Sequence, residues 1–115
     1  MKGRRIIERT MTEENQQTAL LRARLNGETA RLRWQELQRF FAAGSVIAVD
    51  DGLDLVEVAL RVATDDKDAV ARWMGGNRLG PVSDRQALAW LAEDAELWTV
   101  VVKPWILVQR EKASQ

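Results

Sequence analysis

The chain has no cysteine, no histidine and no tyrosine, and only two prolines. Without cysteine there is no disulfide framework, no thiolate nucleophile and no sulfur-ligated metal. Without histidine the commonest general base and the commonest transition-metal ligand are both missing. A serine, threonine or lysine nucleophile would need another base. Acids are plentiful, but none stand at a spacing that fixes a paired-carboxylate mechanism. An excess of one charge is absent too, since 17 basic residues balance 17 acidic ones. That balance argues against a dedicated nucleic-acid or membrane-surface binder, whose charge leans basic. No apolar stretch reaches the roughly 20 residues that cross a bilayer. The N-terminal MKGRRIIERTM has a basic start but only Ile6 and Ile7 as an apolar centre. It lacks the pattern of a secretory signal, so a cytoplasmic location is expected.

What is present fits one folded domain. The chain has 115 residues, of which 46% are apolar and 30% charged, a composition of globular rather than disordered proteins. Five tryptophans and two phenylalanines make up the aromatic set. Five buried tryptophans supply on the order of 25 kcal/mol of gross burial, at about 25 cal/mol per Å². Ordering the backbone costs several times that, so valine, leucine, isoleucine and alanine must carry most of the core.

Along the chain, residues 1–11 read as a frayed basic arm, with Lys2, Arg4, Arg5 and Arg9 against Glu8. Thr12 is a plausible N-cap, followed by Glu13 and Glu14, and Asn26-Gly27 is a stop signal. Between them Leu21 and Leu25 define a thin apolar stripe. Residues 29–34 alternate and suggest a short strand or an extended entry into the next helix, WQELQRFFAAG. Val46, Ile47, Ala48 and Val49 are apolar throughout, as in a strand covered on both faces. Asp50-Asp51-Gly52 ends that run. A helix over about 53–63 follows, with Asp51 and Asp54 in cap positions. Thr64 or Asp65 is expected to cap the next helix, whose Val70, Trp73 and Met74 share a stripe, and Gly75-Gly76-Asn77 stops it. Residues 78–82 suggest a weak edge strand, because Pro81 donates no hydrogen bond. Ser83 with Gln86 forms a capping box for a helix with Ala87, Trp90 and Leu91 on one face. The domain spans 12–110, and residues 111–115 read as a frayed end.

The stretch WTVVVKPWILVQ, residues 98–109, is suited to β-structure but interrupted by Lys103 and Pro104. Two strands, about 97–102 and 105–109, are expected, joined by a bulge or sharp bend. A single bent strand is the rival, and a tight hairpin is disfavoured because Lys-Pro lacks the usual Gly or Asn. Continuous alternation would put Trp98 and Trp105 on opposite faces. The fold class is α+β: one compact domain with four or five helices on a small mixed sheet.

Three constellations are candidates for function. Residues 50–68 carry seven carboxylates against Arg61 and Lys67. Asp50, Asp54 and Glu57 are the candidate ligands for Mg²⁺ or Ca²⁺. Their spacing is not that of a calcium loop, and capping already explains acids at two helix starts. No metal and no cofactor is therefore expected, and an acidic docking face, including Asp50, Asp51 and Asp54, is the simpler use. Arg22, Arg24, Arg31, Arg33 and Arg39, with the basic arm and Trp34, form a conceivable stacking-and-phosphate surface for nucleic acid, against which Glu13, Glu14, Glu28 and Glu36 are interleaved. Trp98, Lys103, Pro104 and Trp105 form the third, because a tryptophan exposed beside a broken strand is a natural contact for another chain. Gly75-Gly76-Asn77-Arg78 is glycine-rich but precedes no phosphate-loop lysine.

GETARLRWQEL (27–37), GSVIAVDDGLDLVEVA (44–59), DDKDAVARWM (65–74) and ELWTVVVKPWILVQ (96–109) together resemble the bacterial family known as domain of unknown function 2288. The similarity covers about residues 18–110. It implies a compact cytoplasmic domain and brings no catalytic residue with it. One departure is Arg33, where a serine-type cap before the Trp34 helix is expected. The expectation is a non-enzymatic protein working through contacts with a protein partner or a second copy, with the basic arm and the acidic segment as surfaces that can pair between copies. A nucleic-acid module and an oxygen-ligand metal-dependent hydrolase are the alternatives.

Overall fold

The computed structural model describes residues 16–111. The arm at 1–11, the expected helix start at Thr12 and residues 112–115 lie outside them. A helix over 16–28 (α1) precedes strand β1 (Ala30–Arg33), helix α2 (Trp34–Ala42) and strand β2 (Val46–Val49). Helices α3 (Leu55–Ala63) and α4 (Lys67–Gly75) follow, then strand β3 (Leu79–Pro81), helix α5 (Asp84–Glu93), and strands β4 (Glu96–Val102) and β5 (Trp105–Gln109).

The five strands form one mixed sheet in the order β1-β4-β5-β2-β3. Only β5 and β2 run parallel, with Ile47 opposite Leu107; every other pair is antiparallel. This central pair explains the wholly apolar 46–49 run, because helices cover the sheet on both sides. On one face α1, α3 and α4 bury Leu25, Leu55, Val58, Leu60, Val100 and Leu107. On the other α2 and α5 bury Trp34, Leu37, Trp90, Leu97, Ile106 and Val108. Trp34 meets Trp90 edge-on at 5.3 Å between ring centroids and Phe41 at 5.4 Å, so three rings tie α2 to α5. None of the described helices is long and apolar enough to cross a membrane.

Helices α2 to α5 end in one device. The N–H after the left-handed residue bonds five residues back, and that residue's own N–H bonds three back. For α2 these bonds are Ser45 to Phe40 and Gly44 to Phe41. Asp65, Asn77 and Asp94 play the part of Gly44 in α3, α4 and α5, at φ of 57°, 59° and 52°. Asp65 therefore closes α3 instead of opening α4, correcting the expected cap. Asp66 is the cap, and its carboxylate accepts from Ala69 N–H. Asp54 caps α3 by accepting from Val56 and Glu57 N–H, and Ser83 with Gln86 caps α5 as expected. Arg33 cannot accept a hydrogen bond; instead Glu36 reaches back to its backbone N–H.

The 98–109 stretch departs from expectation most. Val102 pairs with Trp105 across a two-residue turn, Lys103–Pro104, joined by a cis peptide bond. The disfavoured tight hairpin is what forms, since a cis-proline turn reverses the chain without glycine or asparagine. Reversal also changes the faces. Trp98 pairs with Gln109 and Trp105 with Val102, so both tryptophans lie on the α1/α3/α4 side of the sheet. Two further expectations fail at helix surfaces: Met74 and Leu91 are exposed, at 52% and 44%.

Candidate docking site at the hairpin end of the sheet

The hairpin turn puts Trp105 at the first position of β5, beyond the point where α3 ends. Its indole is 40% exposed. Two cavities flank it and share Val62 and Trp105 as walls. One, of about 720 Å³, lies towards α1 and is lined also by Leu21, Leu25, Val102 and Lys103. The other, of about 530 Å³, lies towards α4, over Ile47, Leu79 and Leu107, with Val70 and Met74 on its side. Together they make one trough across the end of the sheet, apolar on the α4 side and mixed on the α1 side, where Arg24, Glu28 and Lys103 line it. Asp65, Asp66 and Lys67 stand on its α4 rim. On the α1 rim Arg24 is paired to Glu28 at 3.5 Å.

Of the other sequence candidates only Lys103 reaches the trough; with Pro104 it forms the exposed hairpin tip. Trp98 sits at the other end of the sheet, half-buried, with the Arg31 guanidinium 5.3 Å from its ring. Asp50, Asp51 and Asp54 are at that same far end, about 13 Å away along β5. Each has local work: Asp50 Oδ2 accepts from Gly52 N–H at 2.9 Å, Asp51 Oδ1 from Glu111 N–H at 3.1 Å, and Asp54 caps α3. Glu57 is held by Arg22 at 3.1 Å and by Arg61 at 3.2 Å, joining α1 to α3. Among the described residues no three carboxylates converge as a metal ion requires.

The arginines of the first third are likewise committed. Arg22, Arg24, Arg31 and Arg33 pair with Glu57, Glu28, Glu96 and Asp94, and Arg39 lies over Phe40. Trp34 is 1% exposed and offers no ring to a base. Asp94 grips Arg33 with both oxygens and raises the guanidinium's pKa, first by hydrogen bonding and then by its charge. A raised basic group loses its contribution only as pH climbs through the strongly alkaline range, so Arg33 stays charged in this pair throughout the neutral range.

Sequence reasoning missed the trough's walls. Val62 read as unremarkable, and Met74 as inward-facing because it follows Val70 at helical spacing. Nothing local marks the place where one face of the sheet runs out of helix.

The family model described as "Protein of unknown function (DUF2288)" matches residues 20–110. Among curated proteins no match is found. Among solved structures, the NMR solution structure of PA1075 from Pseudomonas aeruginosa is similar, with 48% sequence identity and a TM-score of 0.71. The match covers 79% of this chain and 84% of that one.

Proposed function

The chain belongs to the DUF2288 family, whose description assigns no activity, and from the geometry at the hairpin end we propose that it is a docking module for another protein. The single supporting observation is Trp105, a half-exposed indole standing between an apolar cavity on the α4 side and a mixed one on the α1 side. Interface hot spots are enriched in tryptophan seated in such pockets. Covering the exposed part of this ring is worth about 2 kcal/mol, from roughly 100 Å² at about 25 cal/mol per Å².

The occupant is an apolar segment of a partner protein, with a basic residue where it passes the turn between α3 and α4. On that rim Asp65, Asp66 and the neighbouring Asp68 outnumber Lys67. Asp65 and Asp68 carry no ion pair among the described residues. The segment inserts side chains and does not add a strand. The β3 edge is poor for strand addition, because Arg78 O and Val82 N bond inwards to β2 and Pro81 has no N–H to turn outwards.

Selection of a random peptide library on the folded protein tests this. Enriched peptides are expected to carry two or more large apolar residues with an adjacent lysine or arginine. They are expected to lose about tenfold or more in affinity for the W105A variant. Failure to enrich, or equal binding to W105A, would contradict the proposal. So would sedimentation showing that the trough is instead filled by a second copy.

A further inference from the structure

At the far end of the sheet, where the parallel strands β2 and β5 both finish, lies a separate cleft of about 540 Å³. That volume lies within the usual range for small-molecule sites, and the carboxyl ends of parallel strands are where open sheets bind ligands. We propose that this cleft binds a small organic oxyanion, a carboxylate or phosphate, held by Arg78 and Arg110 over an apolar floor.

The floor is Ala48, Val108 and the edge of Trp90, and the rim carries Asn77, Arg78, Gln86 and Arg110. The decisive feature is which hydrogen-bonding groups are already spent. Arg78 makes one side-chain contact, to Asp50 at 3.4 Å. Arg110 gives one N–H to Glu96 O and one to Glu93, each at 3.2 Å. A guanidinium has five donors, so most remain. Gln86 uses its carbonyl oxygen on Ser83, which leaves its amide N–H groups free among the described residues. Asp50 and Asp51 also line the cleft and each keeps one unbonded oxygen, since Asp50 accepts through Oδ2 and Asp51 through Oδ1. The free N–H groups of Arg78, Arg110 and Gln86 outnumber those oxygens, and a cleft with more free donors than acceptors selects an acceptor-rich guest. Two arginines suit planar, bidentate anions in particular.

Gly52 keeps this rim in place. A Cβ there would stand 2.8 Å from Arg78 Nη2 and 2.9 Å from Asp50 Oδ2. Both are ends of flexible side chains, so Gly52→Ala moves the rim without threatening the fold.

The test is a heteronuclear NMR titration at fixed ionic strength, using inorganic phosphate, citrate and uncharged glucose as probes. Phosphate or citrate is expected to give saturable shifts confined to residues near 48–52, 77–78 and 108–111. The choice between them identifies the anion. Affinity is expected to fall about tenfold or more in R78Q, and in the R78Q/R110Q double variant. G52A should alter it, and R72Q, an exposed arginine on α4, should leave it unchanged. W105A should also leave it unchanged, which separates this cleft from the trough. Shifts that do not saturate, that spread over all surface arginines, or that persist in the double variant would overturn the proposal.

Discussion

The buried amide of Gln109 closes a turn that has no strand partner. Its side chain is 1% exposed and donates to Asp50 O at 2.8 Å and Leu53 O at 2.6 Å, joining the end of β5 to the loop that leads into α3. Gln109→Leu keeps the volume but removes a donor from both carbonyls, and Asp50 O is left with Leu53 N–H alone, at 3.0 Å. A loss of about 2 kcal/mol is expected, read as a lower urea midpoint with unchanged m-value. Its carbonyl oxygen has no partner, so part of the native residue's benefit is already forgone. Tryptophans diverge at the same scale. Trp34, 1% exposed in the three-ring cluster, is expected to cost about 4 kcal/mol as alanine. Trp105→Ala should cost well under half of that, because 40% of the residue already faces water. A W105A variant as unstable as W34A would mean that Trp105 is a core residue and not a docking residue. Residue types alone did not separate these tryptophans. Position beside the Lys103-Pro104 interruption singled out Trp98 and Trp105, and only the hairpin register shows which of the two lines the trough.

The elements were more legible than the residues. Ser83 with Gln86, the apolar 46–49 run, and the proline in the third strand each specify local structure by a local rule, and each element formed where expected. Helix ends were legible where glycine or asparagine marked them. Asp65 was misread because aspartate serves both as an N-cap and, less often, as a left-handed terminator. The two roles stood one residue apart, at Asp65 and Asp66. Glycine adopts the left-handed region without steric cost. Asp65→Gly is therefore expected to stabilise the fold by about 0.5 kcal/mol, seen as a raised urea midpoint. Asp94→Gly is expected not to stabilise it, because that carboxylate also holds Arg33 and Gln35. Equal gains from both would show that the Asp94 pairings contribute nothing. The hairpin was misread for a related reason: proline and lysine are poor hairpin residues in the common turns, but a cis bond opens a different turn class.

At the scale of the molecule, the sheet carries two unlike ends: a trough around Trp105, apolar on its α4 side, and a donor-rich cleft between Arg78 and Arg110. The sequence offered the acids at 50–54 and the tryptophan at 105 as two separate contact surfaces without placing them relative to each other. They are separated because β2 and β5 run parallel, which places the residues after β2 at the finish of β5 and not at its start. Pairing direction is a long-range property that local pattern does not encode. The absence of histidine and cysteine does bear on the whole chain, and it directs attention to recognition before chemistry. The most direct measurement of that recognition is a backbone and indole NMR titration with the highest-affinity library peptide. The expected result is saturable shifts at the Trp105 indole and along Val62, Val70 and Met74, with the Trp98 indole, residues 50–52 and Arg110 unmoved. Saturable binding that leaves Trp105 unshifted, or that centres on the opposite end of the sheet, would contradict the docking role of the trough.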